Sequence, residues 1–272
     1  MSRLGKYFEA NRKMWDEFAK INYGSETYRT KEFLEGGTTL NSIELEELGD
    51  VKGKTLLHLQ CHFGLDTLSW ARQGAKVTGV DFSGEAIRLA RDLAEKTRLD
   101  ATFIQCNIYD LSEVLDEEFD IVFTSYGVHC WLNDLYRWAQ IVAHFLKPGG
   151  TFYIAEFHPF IGVFDWDATD DFRLEYDYFH DPEPKEFPVD GSYAESDVKI
   201  EPMVDYEWWH GMGDVITAIA KAGLRIHFLH EFPRSSFQRF PFLKQQEDGY
   251  WYYDNPNIQL PLTYSLMATK DE

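Results

Sequence analysis

Apolar positions change their rhythm along this chain. Over residues 5–20, Tyr7, Phe8, Asn11, Met14, Trp15 and Phe18 form a near-helical stripe. A loop with Tyr23 and Tyr28 follows, then a second helical stretch around Leu40–Leu48, and Gly53 closes this prelude. From Lys54, short apolar runs and amphipathic stretches take turns. "TLLHLQ" predicts a strand and "LDTLSWARQG" a short helix ended by Gly74. "KVTGVDFS" predicts a second strand. "GEAIRLARDLAEKTR" predicts a helix with Ala86, Ala90, Leu93 and Ala94 on one face. "ATFIQCN" and "FDIVFTSYG" predict strands three and four. A helix over about Asn133–Leu146 turns Leu135, Trp138, Ile141, Val142 and Phe145 inward, and "KPGG" leads into a fifth strand, "TFYIAEF".

After His158 the alternation stops. Residues 159–207 are rich in Asp, Glu, aromatics and proline, and a structureless loop of that length is unusual in a compact domain. They are expected to form an inserted cap with β-hairpin character. Alternation resumes with the helix "GDVITAIAKAGL", closed by Gly223, and the strand "RIHFLHEF". Aromatic "DGYWYYDNP" then leads to a last strand, "LTYSLMATK". Strand and helix alternation of this kind predicts an α/β fold, a parallel sheet with right-handed crossovers and helices on both faces.

Composition narrows the partners. The net charge is −20, so the surface repels polyphosphate and anionic membranes and leaves a small-molecule substrate as the expectation, with no nucleic acid and no membrane. No stretch approaches 18 apolar residues and the first residues have no apolar signal-like segment, which points to the cytoplasm. Three cysteines, Cys61, Cys106 and Cys130, do not make a disulfide framework. Aromatics reach 16%, more rings than a core needs, so some are expected to line a pocket.

In an open parallel sheet, ligands sit beyond the carboxyl ends of the strands. Those ends hold Gln60, Cys61, His62, Phe63 and Gly64 after strand one, Asp81 after strand two, and Cys106 and Asn107 after strand three. Ser125, Tyr126 and Gly127 follow strand four, with His129 and Cys130 just beyond; Glu156 and His158 end strand five. Asp81 is the most informative. An acid ending the second strand, about twenty residues after a strand-turn-helix, is placed to accept both hydroxyls of a ribose.

Lys54–Gly150 resembles the core of the Rossmann-like (class I) S-adenosylmethionine-dependent methyltransferases, of the small-molecule type. "LLHLQCHFG" resembles that family's first motif, an acid-x-Gly-x-Gly-x-Gly at the end of strand one. "VTGVDFS" resembles the second, with Asp81 as the ribose acid and Phe82 beside it. "CNIYDL" resembles the third, where Asn107 and Ile108 meet the adenine, and "FDIVFTSYGVHCWL" the fourth, with Ser125 and Tyr126. "LKPGG" before strand five is a common signature of the group. The resemblance implies a doubly wound, mostly parallel seven-stranded sheet whose last strand inserts antiparallel. It implies S-adenosyl-L-methionine as cofactor and methyl transfer to a small-molecule acceptor. It also implies a leading helix and loop that close over the cofactor, for which Trp15, Tyr23 and Tyr28 are candidates, their ring faces suited to a sulfonium. The domain reading is then 1–50 as an N-terminal helical lid, 51–158 with 208–272 as the cofactor-binding core, and 159–207 as the substrate cap.

The chain departs from the family pattern at three positions. His58 replaces the acid, and Gln60 and His62 replace two of the three glycines, leaving Gly64. Glycine there allows positive φ and close backbone approach. Side chains at 60 and 62 must point away from the cofactor or help hold it, Gln60 at the methionine end and His62 beside the sulfonium; Cys61 lies between them. A metal site from His58, Cys61 and His62 requires the turn to fold back, because neighbours on a strand alternate faces, and no Cys-x-x-Cys or helical His pair is present; no metal is expected. Methyl transfer from a sulfonium rests on positioning and desolvation, and a protonated acceptor adds the need for a general base. His129, His158 and His210 are the candidates, each equally readable as a structural histidine. "WWHGMGD" places Trp208, Trp209 and His210 at the exit of the insertion. Two other readings stay open: an NAD-dependent oxidoreductase, which Asp81 fits and "LQCHFG" fits poorly, and a non-catalytic S-adenosylmethionine-binding protein.

Overall fold

Ser2 starts the first helix by accepting a hydrogen bond from the Gly5 amide, and α1 (Arg3–Gly24) buries Asn11, Met14, Phe18, Ala19 and Asn22 on one face. The structure, a computed structural model, describes residues 2–255 and 257–272. A one-turn helix, α2 (Thr30–Leu34), precedes α3 (Ser42–Leu48), which opens on a capping box between Asn41 and Glu44. The alternating core then runs β1 (Thr55–Leu59), α4 (Leu65–Arg72), β2 (Lys76–Asp81), α5 (Gly84–Thr97), β3 (Ala101–Gln105), β4 (Phe119–Ser125), α6 (Leu135–Phe145) and β5 (Leu146–Phe157). Ser83 caps α5 and Asp134 caps α6, each through its side-chain oxygen.

The insertion forms a hairpin, β6 (Lys185–Ser192) and β7 (Glu195–Glu207), turned by Tyr193 and Ala194. Helix α7 (Met212–Lys221) and β8 (Leu224–Phe232) return the chain to the core. Short strands β9 (Arg234–Ser235), β10 (Leu243–Gln245) and β11 (Trp251–Tyr253) form a small separate sheet, and β12 (Thr263–Lys270) ends the fold. The periodicity of the sequence gives no sign of this small sheet. It packs with the insertion through Val163, Phe164, Phe240, Leu243 and Leu262.

The large sheet has seven strands in the order β3-β2-β1-β4-β5-β12-β8. The first five run parallel, and β12 lies antiparallel between β5 and β8, as the final-strand resemblance implies. Strand alternation sends Leu57, Leu59 and Val122 to the face covered by α6 and α7, and Leu56 and Phe123 to the face that packs Trp70 of α4 and Leu48 of α3. The strand order reverses between β1 and β4. Their carboxyl ends therefore diverge, leaving the crevice where this architecture binds ligands.

Packing beneath that crevice is tight at Gly79 of β2. A Cβ there would stand 2.8 Å from the Phe103 ring and 2.9 Å from Cys61 Sγ. Gly79→Ala is expected to cost about 1–3 kcal/mol in urea unfolding. Gly213→Ala in α7, where a Cβ meets nothing within 4 Å, is expected to be neutral or stabilising by up to about 1 kcal/mol. Equal midpoints for the two variants would contradict this packing.

Candidate active site

The turn after β1 alternates left-handed residues: φ is 56° at Gln60, 52° at His62 and 77° at Gly64. Outside glycine this conformation costs about 1–2 kcal/mol per residue. Backbone bonds hold it. The Cys61 amide donates to Val80 O at 2.9 Å, the His62 amide to Asp81 Oδ2 at 2.8 Å, and the Gly64 amide to Cys61 O at 2.9 Å. The backbone thus keeps the glycine conformation without the glycines, and both replacement side chains line the cavity. Gln60 donates to Val128 O at 3.1 Å, while its Oε1 is buried without a partner. The His62 ring packs edge-on to Trp15 at 5.2 Å and beside Tyr28 at 5.3 Å, and its Nε2 is also buried and unpartnered.

Asp81 is 8% exposed and accepts two amides, His62 on one oxygen and Ser83 on the other. Each oxygen keeps a lone pair for a ligand. Burial pushes its pKa up to about 6. Phe82, Asn107 and Ile108 line the cavity next to it, with Asn107 Oδ1 capping Tyr109 N. Ser125 donates to Asp66 Oδ2 at 3.0 Å, and the Tyr126 hydroxyl donates to buried Glu44. Cys61 contributes backbone; its thiol belongs to the apolar cluster with Phe63, Ala90 and Phe103. Tyr23 stands outside the cavity lining: its ring packs on Phe63 and its hydroxyl accepts from Lys96. A side chain at the C-terminal end of α1 reaches α5 before it reaches the crevice, which the spacing in the sequence did not disclose.

The histidines separate by their partners. His158 spends both ring nitrogens, Nδ1 accepting from Phe160 N and Nε2 meeting Glu231 at 2.8 Å. His210 donates Nε2 to Leu132 O at 2.7 Å and stacks on His180. His129 shares one bond with the Tyr264 hydroxyl and leaves Nε2 buried without a partner. Burial lowers the pKa of His129 to about 3 and that of His210 to about 4, so both are neutral and weakly basic near neutrality. His58 bonds Thr67 at 2.8 Å, away from His62, and Cys61 faces the core. Among the described residues, no three His, Cys, Asp or Glu converge on a metal position.

The cavity measures about 850 Å³, toward the upper end of ligand pockets, which run about 300–1,000 Å³. Five unpartnered buried polar atoms belong to residues that line it: Trp15 Nε1, Gln60 Oε1, His62 Nε2, His129 Nε2 and Asp205 Oδ1. The cover over it joins two distant segments. Asn11 of α1 donates to Tyr206 O at 2.7 Å and accepts from Tyr206 N at 2.8 Å, and the Tyr28 and Tyr193 hydroxyls bond each other. Sequence reasoning missed Asp66, Asp205, Glu207 and Arg239 in the lining. An acid in the first turn of the helix after a cofactor loop is a usable signal for Asp66; nothing marks the other three.

Residues 57–154 match the family described as "Methyltransferase domain". That segment spans the alternating core from β1 to β5, and over it the chain is similar to methyltransferases. A ubiquinone biosynthesis O-methyltransferase from Serratia proteamaculans is 30% identical over 106 residues, 39% of this chain and 44% of that protein. This chain thus spans under half the length of the curated relatives it matches. Among solved structures, an S-adenosylmethionine-dependent methyltransferase from Mesorhizobium loti superposes with a TM-score of 0.56 at 21% identity, over 87% of this chain and 100% of that one. A Listeria monocytogenes structure assigned to the same class gives a TM-score of 0.58 at 22% identity, over 84% and 98%. The methyltransferase fold therefore extends well beyond the segment the family matches.

Several carboxyls of this chain are buried enough to titrate late. Burial raises Glu44 and Asp205 to about 8 and Glu207 to about 7. A carboxyl with a raised folded pKa holds its proton more tightly folded than unfolded, so stability falls as pH rises through that window. The buried histidines act oppositely, but their contribution is complete once the pH passes the unfolded value of about 6.5. The thermal midpoint of the ligand-free protein is therefore expected to fall between about pH 6.5 and 8, with a shallower fall for Glu44→Gln. A flat or rising midpoint over that interval would contradict the burial of these carboxyls.

Proposed function

We propose that this protein transfers the methyl group of S-adenosyl-L-methionine to a small-molecule acceptor held in the same cavity. One observation carries the reading. Asp81, buried at the carboxyl end of β2 with a lone pair free on each oxygen, stands in a cavity large enough for cofactor and acceptor together. Asp81 would hold the ribose hydroxyls, with Phe82 and Ile108 beside the adenine. Gln60 Oε1, which has no partner among the described residues, suits the ammonium of the methionine end, and His62 closes that end against Trp15.

The cofactor, when bound, supplies an electrophilic methyl and a good leaving group, so the protein's work is placement and exclusion of water. Glu156 accepts the Val128 amide at 2.7 Å and the Phe157 amide at 2.6 Å, and also accepts from Gly127; this fixes the loop after β4 opposite the β1 turn. The cover of α1 and the β6–β7 hairpin shuts solvent from the same space. A neutral His129 offers a hydrogen bond there rather than a strong base.

The geometry disfavours a nicotinamide dinucleotide. A pyrophosphate needs free amides and the close approach glycine permits. Here the amides of Cys61, His62 and Gly64 are spent within the protein, and side chains stand at 60 and 62. Among the described residues no helix is long and apolar enough to cross a membrane, and the charge of −20 opposes nucleic acid, so a soluble small molecule in the cytoplasm remains the expected partner.

Calorimetric titration with S-adenosylhomocysteine, with NAD as control, tests the cofactor. Binding of the first alone is expected, weakened at least about tenfold by Asp81→Asn, which keeps the shape and removes the charge. Binding of NAD in its place would overturn the reading. Formation of S-adenosylhomocysteine from the methyl donor with small-molecule cell extract separates catalysis from mere binding.

A further inference from the structure

In the wall of the cavity, β7 carries two acids on one face. Asp205 and Glu207 are two residues apart, so strand alternation turns both toward the cavity while Tyr206 between them faces α1. Each is only 7% exposed. Burying two carboxylates side by side is costly unless cations meet them. Among the described residues, no lysine or arginine reaches ion-pair distance of either. Glu207 accepts a single bond, from Trp209 Nε1 at 2.7 Å, and Asp205 Oδ1 has no partner. Arg239, the nearby cation, lies 4.2 Å over the Trp166 ring and meets Glu207 through its longer-range charge alone, without an ion pair.

The surroundings specify the rest of the ligand. Phe187, paired with Asp205 across the hairpin, stacks on Trp166 at 5.2 Å and on Trp209 at 5.9 Å, and all three line the cavity. The strand that carries the acids is also tied to the loop after β4. Trp208, next to Glu207, donates its amide to Cys130 O at 2.8 Å, in the loop after β4. Burial, and after it the charges of Glu207, Glu156 and Asp205, drive the pKa of the Cys130 thiol up.

We propose that Asp205 and Glu207 form the recognition site for an amine acceptor with an aromatic or apolar body, which makes this a nitrogen methyltransferase. The inference rests on the methyl-transfer reading above and names its substrate class. The arriving ammonium, R–NH3+, gives one proton to a carboxylate and becomes R–NH2. Its nitrogen lone pair then forms the new N–C bond as the C–S bond of the sulfonium breaks, the electron pair staying on sulfur. The product is R–NH2CH3+ and a neutral thioether, and the carboxyl proton leaves to solvent. Burial raises both acids to about 7 and 8, which fits them to take that proton near neutral pH.

The test uses the full chain saturated with S-adenosylhomocysteine and three probes of one shape: 2-phenylethylamine, 2-phenylethanol and 3-phenylpropanoate. Calorimetry is expected to show the amine bound at least about tenfold more tightly than the alcohol, with the carboxylate excluded. Asp205→Asn and Glu207→Gln are each expected to weaken the amine about tenfold or more, leave the alcohol unchanged, and leave S-adenosylhomocysteine binding intact. Ligand-free Asp205→Asn is expected to melt at a higher temperature at pH 8, where loss of a residue kept for stability would lower it. Equal or tighter binding of the alcohol or carboxylate, no binding of any probe at millimolar concentration, or an amine preference that survives both substitutions would overturn the inference. If S-adenosylhomocysteine itself fails to bind, the methyl-transfer reading falls; if it binds and the amine preference is missing, this inference alone falls.

Discussion

One buried carboxylate ties the crevice together. Asp81 accepts the His62 amide and so fixes the turn after β1; it accepts the Ser83 amide and so fixes the start of α5. Ser83 in turn caps α5 at Ala86 and donates to Asp16 of α1 at 2.7 Å. The turn, α5 and the N-terminal cover are thus registered against a single side chain. The cost is visible in its raised pKa, since burial penalises the charge and two backbone amides compensate only in part. A group that organises structure while keeping lone pairs for a ligand links binding to the order of everything around it.

Above this anchor, the cavity is roofed by segments far apart in the chain. Helix α1 and the β6–β7 hairpin meet through the Asn11 side chain, whose amide pairs with both backbone groups of Tyr206 as a neighbouring strand would. The small sheet of β9, β10 and β11 packs on the start of the insertion, at Val163 and Phe164, through Phe240 and Leu243. The sheet supplies the floor and these additions supply the walls. The family segment itself ends at residue 154, whereas Trp166, Phe187, Asp205, Glu207, Trp209 and Arg239 of the cavity lining lie beyond that point.

The floor was legible in the sequence because its signals are local. Apolar runs such as "TLLHLQ" and capped helices such as the one begun by Ser83 declare themselves within a few residues, and Asp81 follows from its distance to the preceding turn. The walls were not legible, because they depend on pairings across the chain. Asp205 and Glu207 read as ordinary solvated acids in a strongly acidic segment; only the hairpin register and the packing of α1 show them buried. His158 and His129 look alike as histidines after strands. Their roles part because Glu231 reaches one and, among the described residues, nothing reaches Nε2 of the other. Tyr23 and Tyr28 differ by little more than one helical turn of sequence, and that separates the face toward α5 from the face toward the crevice.

The left-handed residues of the first turn carry a lesson for reading other chains. The glycines that mark such turns are a statement about the sign of a torsion angle, and the torsion survives here at Gln60 and His62 without them. What the chain needs is the curvature of the backbone. Residue identity is one of several ways to secure it, and a lattice of amide bonds to Val80 and Asp81 is another. Motifs written as letters will pass over members that keep the shape by tethering. A motif written as conformation plus tether, with an acid at the end of the next strand, would find them.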